Sequence, residues 1–277
     1  MYEAEQSSKD KNIKTEVVRN ACEVLSKIYN PDTCSATIAT EVHKIVYETL
    51  NDNDPYKHLK RQSNKIAKSL LPKVEYLIKR SKNPLKTAMI CSIIGNMMDF
   101  GISGGSKKPE VLQDIFDKIF DEGLGYDDFD RVQEILKEAK HVVLFTDNCG
   151  EIVFDKVLCR ELKRFNSNIR LTLVVRGEPI ISDATIEDAK ELKFEEVVDE
   201  ILTTGCFAVG VDFVRLPDKV KDILDKIDLI MCKGMANYEA FSETDYRPIA
   251  YLLRTKCSPI ADSMNIPLNV NAIKLYE

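Results

Sequence analysis

Residues 142–155 read Val-Val-Leu-Phe-Thr-Asp-Asn-Cys-Gly-Glu-Ile-Val-Phe-Asp, and this stretch decides the fold. An apolar run stops at an acidic residue, an asparagine and a glycine, and apolar residues then return with helical spacing. This order is typical of a buried parallel strand that passes into a helix, with polar residues at the carboxyl edge of the sheet, where α/β proteins bind ligands. We therefore expect the chemistry of the chain at Asp147 and its neighbours.

The two parts of the chain differ in their apolar period. Residues before 141 carry the spacing of helices, whereas the rest alternates short apolar runs with helix-like segments, which is the rhythm of βαβ units. The runs predicted to be strands are 141–146, 169–175, 207–211, 227–232, 248–254 and 268–275. The stretch 197–202 is either a further strand or a linker. We predict an α/β fold: an N-terminal all-helical domain at 1–140, and at 141–277 an α/β domain with a Rossmann-like, mainly parallel sheet flanked by helices.

Composition narrows the class of protein. The chain has 277 residues, 44% of them hydrophobic, which is enough for a large core. A formal net charge of −6 argues against a nucleic-acid partner, which requires a basic face. The eight cysteines form no C-x-x-C pair, which favours free thiols in a reducing cytoplasm. We find no segment long and apolar enough to span a membrane, so we expect a cytoplasmic protein with no membrane partner.

Oxygen-bearing side chains follow the first two predicted strands. Asp147 and Asn148 come directly after the first strand, and Glu151 opens the next helix. After the second strand, the run Arg-Gly-Glu-Pro-Ile-Ile-Ser-Asp at 176–183 delivers Asp183 at a junction between loop and helix. Hard divalent cations prefer such oxygen ligands, so Asp147, Asn148 and Asp183 could complete one metal site. The competing interpretation is that these residues are ordinary turn and helix-capping residues.

Two further groups of polar residues are candidates for substrate contacts. Lys233 and Gly234 directly follow the predicted strand at 227–232, and Asn237 comes three residues later. The lysine could bind a phosphoryl oxygen, and the glycine permits close approach of the backbone. Asn96 and Asp99 lie three residues apart on an apolar helix, so they either satisfy a buried hydrogen-bond network or line the cleft. When this segment is considered without the other motifs, the favoured interpretation of Lys233 is a solvent-exposed lysine in a loop.

Four motifs in order carry a family resemblance. They are Gly-Asn-x-x-Asp-Phe-Gly at 95–101, Asp-Asn-x-Gly-Glu-x-x-x-Asp at 147–155, Arg-Gly-x-Pro-x-x-x-Asp-Ala-Thr at 176–185 and Lys-Gly-x-x-Asn-Tyr-Glu at 233–239. Over roughly residues 54–277 the chain resembles the metal-dependent damage-control phosphatases, also called acidic-residue methyltransferase-like proteins and formerly a domain of unknown function. The compact form resembles the archaeal or prokaryotic branch. A cysteine pair expected near the N-terminus of that branch is absent, which leaves open a later start or the loss of that element.

The resemblance implies roles for individual residues. Asp147, Asn148 and Asp183 would be metal ligands for Mg²⁺, Mn²⁺, Co²⁺ or Ni²⁺. Lys233 would hold the phosphoryl group, and the phosphosubstrate pocket would be lined by Asn148, Glu151, Asn96, Asp99 and Asn237. The attacking group could be a water on the cation or the carboxylate of Asp147, and we prefer water.

The resulting functional hypothesis is hydrolysis of phosphate monoesters of small metabolites, such as sugar phosphates or damaged phosphometabolites. Asp147 and Lys233 are the predicted catalytic residues, and the partner is a small phosphorylated metabolite. One rival is an S-adenosylmethionine-dependent carboxyl methyltransferase, although the loop Asp-Asn-Cys-Gly-Glu suits a cation better than an adenosyl group. The other rival is a protein that binds a phosphometabolite without hydrolysing it. The sequence leaves the oligomeric state and the preferred metal open.

Overall fold

The computed structural model describes residues 1–31, 33–96 and 109–277, without the side chains of 109–114. The helices in these ranges are α1 (Tyr2–Ser7), α2 (Lys11–Ile28), α3 (Ser35–Leu50), α4 (Lys57–Arg80), α5 (Pro84–Gly95), α6 (Pro109–Glu122), α7 (Phe129–Glu138), α8 (Glu151–Phe165), α9 (Ile186–Glu191), α10 (Asp218–Leu224), α11 (Gly234–Ser242) and α12 (Ser258–Met264). The strands are β1 (Tyr126–Asp127), β2 (His141–Phe145), β3 (Arg170–Val175), β4 (Glu200–Thr203), β5 (Leu229–Lys233), β6 (Ile249–Arg254) and β7 (Asn271–Tyr276).

Within the described residues, the strands form one seven-stranded sheet in the order β1-β7-β6-β5-β2-β3-β4. All neighbouring strands run parallel except β6 and β7, which are antiparallel. The chain runs from β2 through β3 to β4 and then returns to β5 on the other side of β2. The gap between β2 and β5 is therefore a topological switch point, where open parallel sheets bind ligands.

Strand β2 is the centre of the molecule because it is apolar on both faces. Val142 and Leu144 face one hydrophobic core, which also contains residues of α4, α5 and α8. Val143 and Phe145 face a second core with residues of α10, α11 and α12. Alternate residues of a strand point to opposite faces, so a run without polar residues must be covered on both sides. The predicted α/β class with helices on the sheet is confirmed.

The N-terminal part of the chain is helical, as the spacing of its apolar residues predicts. Helix α5 begins at Pro84 because the Asn83 side chain accepts a hydrogen bond from the backbone N–H of Lys86 and proline suits the first turn. Helices α4 and α5 pack on α8, in the same core as β2. No helix among the described residues is long and apolar enough to cross a membrane.

Two predictions of secondary structure are wrong in detail. Residues 207–211 form no strand; instead they make an irregular loop, with Gly210 at φ +69°. The carbonyl of Gly210 accepts a hydrogen bond from the Arg176 guanidinium, so the apolar run covers a buried cation instead of pairing in the sheet. The undecided stretch at 197–202 overlaps β4. Tyr126–Asp127, within the part predicted to be all-helical, pairs with β7 as the edge strand β1.

Candidate active site

The first candidate ligands lie in the loop between β2 and α8. Asp147 is buried, and its Oδ2 accepts hydrogen bonds from the side-chain amides of Asn96, at 2.8 Å, and Asn148, at 2.7 Å. The Asn148 Oδ1 accepts a hydrogen bond from the Ser182 hydroxyl at 2.6 Å. Two amides therefore orient the Asp147 carboxylate, and Asn148 links it to the loop that carries Asp183.

The structure brings Asp183 to the same point as Asp147. The two loops are held together through their backbones: Cys149 N–H donates to Ser182 O, and Ala184 N–H donates to Asp147 O, both at 2.8 Å. Asn148 and Asp183 also pair as an isolated antiparallel bridge. The predicted convergence of Asp147, Asn148 and Asp183 at one sheet edge is therefore present.

Arg176 lies between the two acids, and we did not assign it a role from the sequence. Its Nε donates to Asp183 Oδ2 at 2.5 Å, and its Nη2 lies 3.8 Å from Asp147 Oδ1. This Nη2 makes no hydrogen bond to any residue that the structure describes. A charged residue directly after the apolar end of β3, residues 173–175, was the signal that could have found it, because a buried arginine must pair with acids or carbonyls.

Asn237 forms a hydrogen bond with this arginine. Its Oδ1 accepts from Arg176 Nη1 at 2.9 Å, and its Nδ2 donates to Thr146 O at 3.0 Å and Lys233 O at 2.7 Å. The side chain is fully buried. Its contacts therefore join the ends of β2, β3 and β5, and its predicted contact with substrate remains a prediction.

Lys233 is completely buried at the end of β5, among acceptors from two helices. Its ammonium donates to Glu151 and, at 3.1 Å each, to Asp155 Oδ1 and Ser92 O. Both acids lie on α8, four residues apart and thus on one helix face. The structure places Lys233 beside the predicted pocket residue Glu151 and gives Asp155 a role that the sequence alone did not suggest to us. The proposed contact of Lys233 with a phosphoryl group remains a prediction.

Asn96 connects the site to a second lysine. Its side-chain amide also donates to Glu151 Oε2 at 3.2 Å, and its side-chain and backbone oxygens accept from Lys256. Lys256 is a further cation that sequence reasoning missed, since it follows β6 without a recognisable motif. Asp99, predicted to accompany Asn96, lies outside the residues that the structure describes.

The site concentrates negative charge in a buried place. Burial, together with the charges of Asp183 and Glu151, holds the pKa of the Asp147 carboxyl well above its ordinary value. Burial also raises the pKa of Glu151 to about 7, against the opposing effect of Lys233. For Lys233 burial acts to lower the pKa, but the carboxylates of Asp155 and Glu151 outweigh it and raise the pKa above the ordinary value. The centre therefore favours an added cation.

The donor set fits a hard divalent cation. Asp147 and Asp183 supply carboxylate oxygens and Asn148 supplies an amide oxygen, the ligand types that Mg²⁺ and Mn²⁺ prefer. No group of three or more His, Cys, Asp or Glu side chains arranged to hold a metal occurs in residues 1–31, 33–96 and 109–277. The predicted set has two carboxylates and one amide, so a cation here needs water and substrate oxygens to complete its coordination.

Comparison with known proteins identifies relatives along the whole chain. The family model of the damage-control phosphatase ARMT1-like domain matches residues 1–270. A damage-control phosphatase of Archaeoglobus fulgidus is 39% identical over 276 residues, covering 100% of this chain and 94% of that protein. One of Pyrococcus horikoshii is 30% identical over 264 residues, covering 95% of this chain and 89% of that protein. The crystal structure of a DUF89 family protein of P. horikoshii matches with a TM-score of 0.89 at 27% identity, covering 99% of this chain and 94% of that chain.

Fold and site together define an α/β protein with a buried, oxygen-rich centre at the carboxyl edge of a parallel sheet. The chain belongs to the damage-control phosphatase ARMT1-like family. It is a metal-dependent phosphatase, and its substrates are small phosphorylated metabolites. The family resemblance of the four motifs is thereby confirmed, and the comparisons give no support to the methyltransferase alternative.

Proposed function

We propose that Asp147, Asn148 and Asp183 hold the divalent cation with which this enzyme hydrolyses phosphate monoesters, and that the cation is Mg²⁺, Mn²⁺, Co²⁺ or Ni²⁺. The observation that carries this proposal is the meeting of Asp147 and Asp183, from the ends of adjacent parallel strands, on either side of Arg176. When bound, the cation neutralises phosphate charge and acts as a Lewis acid.

The protein's own residues position and shield the reacting groups. Arg176 pairs with the carboxylates of Asp147 and Asp183 and orients them, while the amide of Asn96 fixes the second oxygen of Asp147. Because Asp147 and Asp183 are buried, bulk water is excluded and charges interact strongly. Such fixed positioning is most of what phosphoryl transfer requires of a protein.

Lys233 and the pocket residues keep the roles that the motifs indicate. Lys233 would bind the phosphoryl group by exchanging one of its present acceptors, such as Ser92 O, for a substrate oxygen. Glu151, Asn96, Asp99 and Asn237 would line the phosphate end of the pocket. Of these, Glu151 also holds the ligand loop, since its Oε2 accepts from the backbone N–H of Asn148 at 3.3 Å.

A cavity beside the loop that carries Asp183 supports a small polar substrate. It has a volume of about 690 Å³, and Glu178 and Pro179 of that loop line it together with α3. The Tyr47 hydroxyl accepts a hydrogen bond from the backbone N–H of Ile181 at 2.9 Å, which joins α3 to the same loop. Lys44, Tyr47 and Arg215 in its lining suit the organic part of a small polar substrate. The lining does not include Asp147, Asn148, Asp183 or Lys233, so the phosphate itself would lie outside this cavity.

Two properties of the whole chain accompany this proposal. The eight cysteines are free thiols, which supports a cytoplasmic location in a reducing compartment. The net charge of −6 supports a small-molecule substrate and no nucleic-acid partner.

A phosphate-release assay tests the proposal. A panel of sugar phosphates and a generic phosphomonoester is offered to the metal-free protein with each of the four cations. We expect cation-dependent release that falls roughly 100-fold or more in Asp147→Ala and Asp183→Ala, since several kcal/mol of charge stabilisation are lost. Asp222→Ala, at an exposed aspartate of α10, is the matched control. Parental rates in both ligand variants would refute the metal role, and binding without release would favour a non-catalytic protein.

A further inference from the structure

One side chain of the N-terminal helices spans the two loops that carry the proposed ligands. Asn64 lies on α4 and is 4% exposed. Its Oδ1 accepts a hydrogen bond from the backbone N–H of Gly150 at 2.6 Å, and its Nδ2 donates to Asp188 Oδ1 at 3.2 Å. Both ends of the amide are therefore used, one by the loop before α8 and the other by the first turn of α9.

The two partners of Asn64 are tied closely to the ligands. Gly150 is the residue before α8, two positions after Asn148. Asp188 caps α9: its Oδ2 accepts from the backbone N–H and the hydroxyl of Thr185, both at 3.0 Å, and Thr185 is two positions after Asp183. Asn64 thus connects the starts of the two helices that directly follow the ligand loops.

The approach of α4 to this point is close. Gly150 has φ +87°, and a Cβ atom there would lie 3.2 Å from Cβ of Ser63, the neighbour of Asn64. A side chain at position 150 would therefore push α4 away and lengthen the short hydrogen bond from Gly150 to Asn64. The glycine and the asparagine form one contact between the helical part and the sheet edge.

We propose that Asn64 is a positioning residue for the metal site, a role that rests on the proposed function. By bridging Gly150 and Asp188, it fixes the separation of the loop with Asp147 and Asn148 from the loop with Asp183. The position requires one acceptor and one donor on a short side chain, which only asparagine supplies at this reach. Residues that orient metal ligands in this way typically contribute about 10–100-fold in metal affinity.

A donor–acceptor exchange tests this role. Mn²⁺ is titrated calorimetrically into the metal-free full-length chain for the parent, Asn64→Leu, Asn64→Asp and the double variant Asn64→Asp/Asp188→Asn. Asn64→Asp keeps an acceptor for Gly150 but opposes the carboxylate of Asp188. In the double variant the new carboxylate on α4 accepts from both Gly150 and the new amide on α9, and the amide oxygen on α9 can accept from Thr185, so the bridge is restored with the same total charge.

We expect Mn²⁺ affinity to fall roughly 10–100-fold in both single variants and to return to within about threefold of the parent in the double variant. Asn20→Leu, which removes an amide bonded to Thr49 between α2 and α3, is the control and keeps parental affinity. Melting temperatures of the metal-free variants are measured alongside, because a purely structural role would change them without changing the affinity of the folded protein for Mn²⁺.

The outcomes separate this inference from the proposed function. A parent that binds Mn²⁺ and Asn64 variants that bind it equally well would overturn the positioning role alone. A double variant no better than Asn64→Asp would overturn it too, and this comparison holds even if Asn64→Leu does not fold. The parent is also titrated with Mg²⁺, Co²⁺ and Ni²⁺, and a parent that binds none of the four cations would overturn the proposed metal site and the role of Asn64 together.

Discussion

At the scale of single residues, the site depends on a glycine that leaves room for the Asp147 carboxylate. Gly234 has φ +75°, and a Cβ atom there would lie 2.0 Å from Asp147 Oδ2. The backbone at Gly234 does make a close approach, and the group that it approaches is the Asp147 carboxylate. The predicted approach to a phosphoryl group remains a prediction. Any side chain at position 234 must displace this carboxylate.

Gly234→Ala should strongly reduce activity for a local reason. Backbone strain of about 1–2 kcal/mol is expected for alanine at positive φ, and the displaced carboxylate should reduce phosphate release roughly 100-fold. Gly123→Ala is the matched control, because Gly123 has φ +67° and its Cβ would meet no described atom within 4 Å. Steady-state rates and melting temperatures are measured for both variants. Equal losses of activity in Gly234→Ala and Gly123→Ala would contradict the catalytic role assigned to Asp147.

Sequence reasoning could predict Asp147, Asn148 and Asp183 because oxygen donors directly after apolar runs mark the carboxyl edge of a parallel sheet. It could not predict the partners of Arg176 or Lys233. Asp183 lies seven residues from Arg176, but Gly210 and Asn237 lie much farther along the chain, as Ser92, Glu151 and Asp155 do from Lys233. The folded chain is therefore needed to show that Arg176 joins Asp183 to Asn237.

At the scale of elements, local pattern and tertiary structure disagree at one place. The run at 207–211 is as apolar as a strand, yet β4 forms at Glu200–Thr203, which is less apolar and only half-buried. The two segments differ in their hydrogen-bond partners. The backbone of β4 pairs with β3, whereas the carbonyl of Gly210 accepts a hydrogen bond from Arg176. A loop that satisfies a buried cation cannot be told from a strand by apolar residues alone.

Helix α8 contributes a titrating group whose effect on stability has a definite sign. The pKa of Glu151 is raised by burial from 4.5 to about 7 in the folded chain. The folded state therefore holds this proton more tightly than the unfolded state, and the contribution of Glu151 to stability is lost as the pH rises from about 4.5 to about 7. A glutamine at position 151 does not titrate, so it makes no such pH-dependent contribution to stability.

We expect metal-free Glu151→Gln to lose less stability than the parent across this range of pH. Chemical unfolding at a series of pH values, in the presence of a chelator, measures the free energy of unfolding of each protein. Glu187→Gln makes the same change at an exposed position at the start of α9 and is the control. Parallel curves for the parent and Glu151→Gln would contradict a raised pKa at Glu151.

At the scale of the whole molecule, helical and sheet regions share one core. Leu70 of α4 and Met89 of α5 belong to the same buried cluster as Leu144 of β2 and Phe154 of α8. Strand β1, which precedes residue 140, also pairs with the C-terminal strand β7. The boundary at 140 remains a prediction about domains, while the packing joins the segments on either side of it.

This shared core predicts cooperative unfolding. Scanning calorimetry of the full chain should show one main transition that includes α4, α5 and the sheet, with the calorimetric enthalpy close to the van't Hoff enthalpy. Two well-separated transitions, one for the residues before 140 and one for the residues after, would instead favour independent domains.

The central claim is that two carboxylates and an amide from the ends of β2 and β3 hold one catalytic cation. Calorimetric titration of Mn²⁺ into the metal-free parent, Asp147→Ala and Asp183→Ala tests it most directly. We predict one tightly bound ion per parent chain and loss of that binding in both variants. Equal stoichiometry and affinity in all three proteins would contradict the claim.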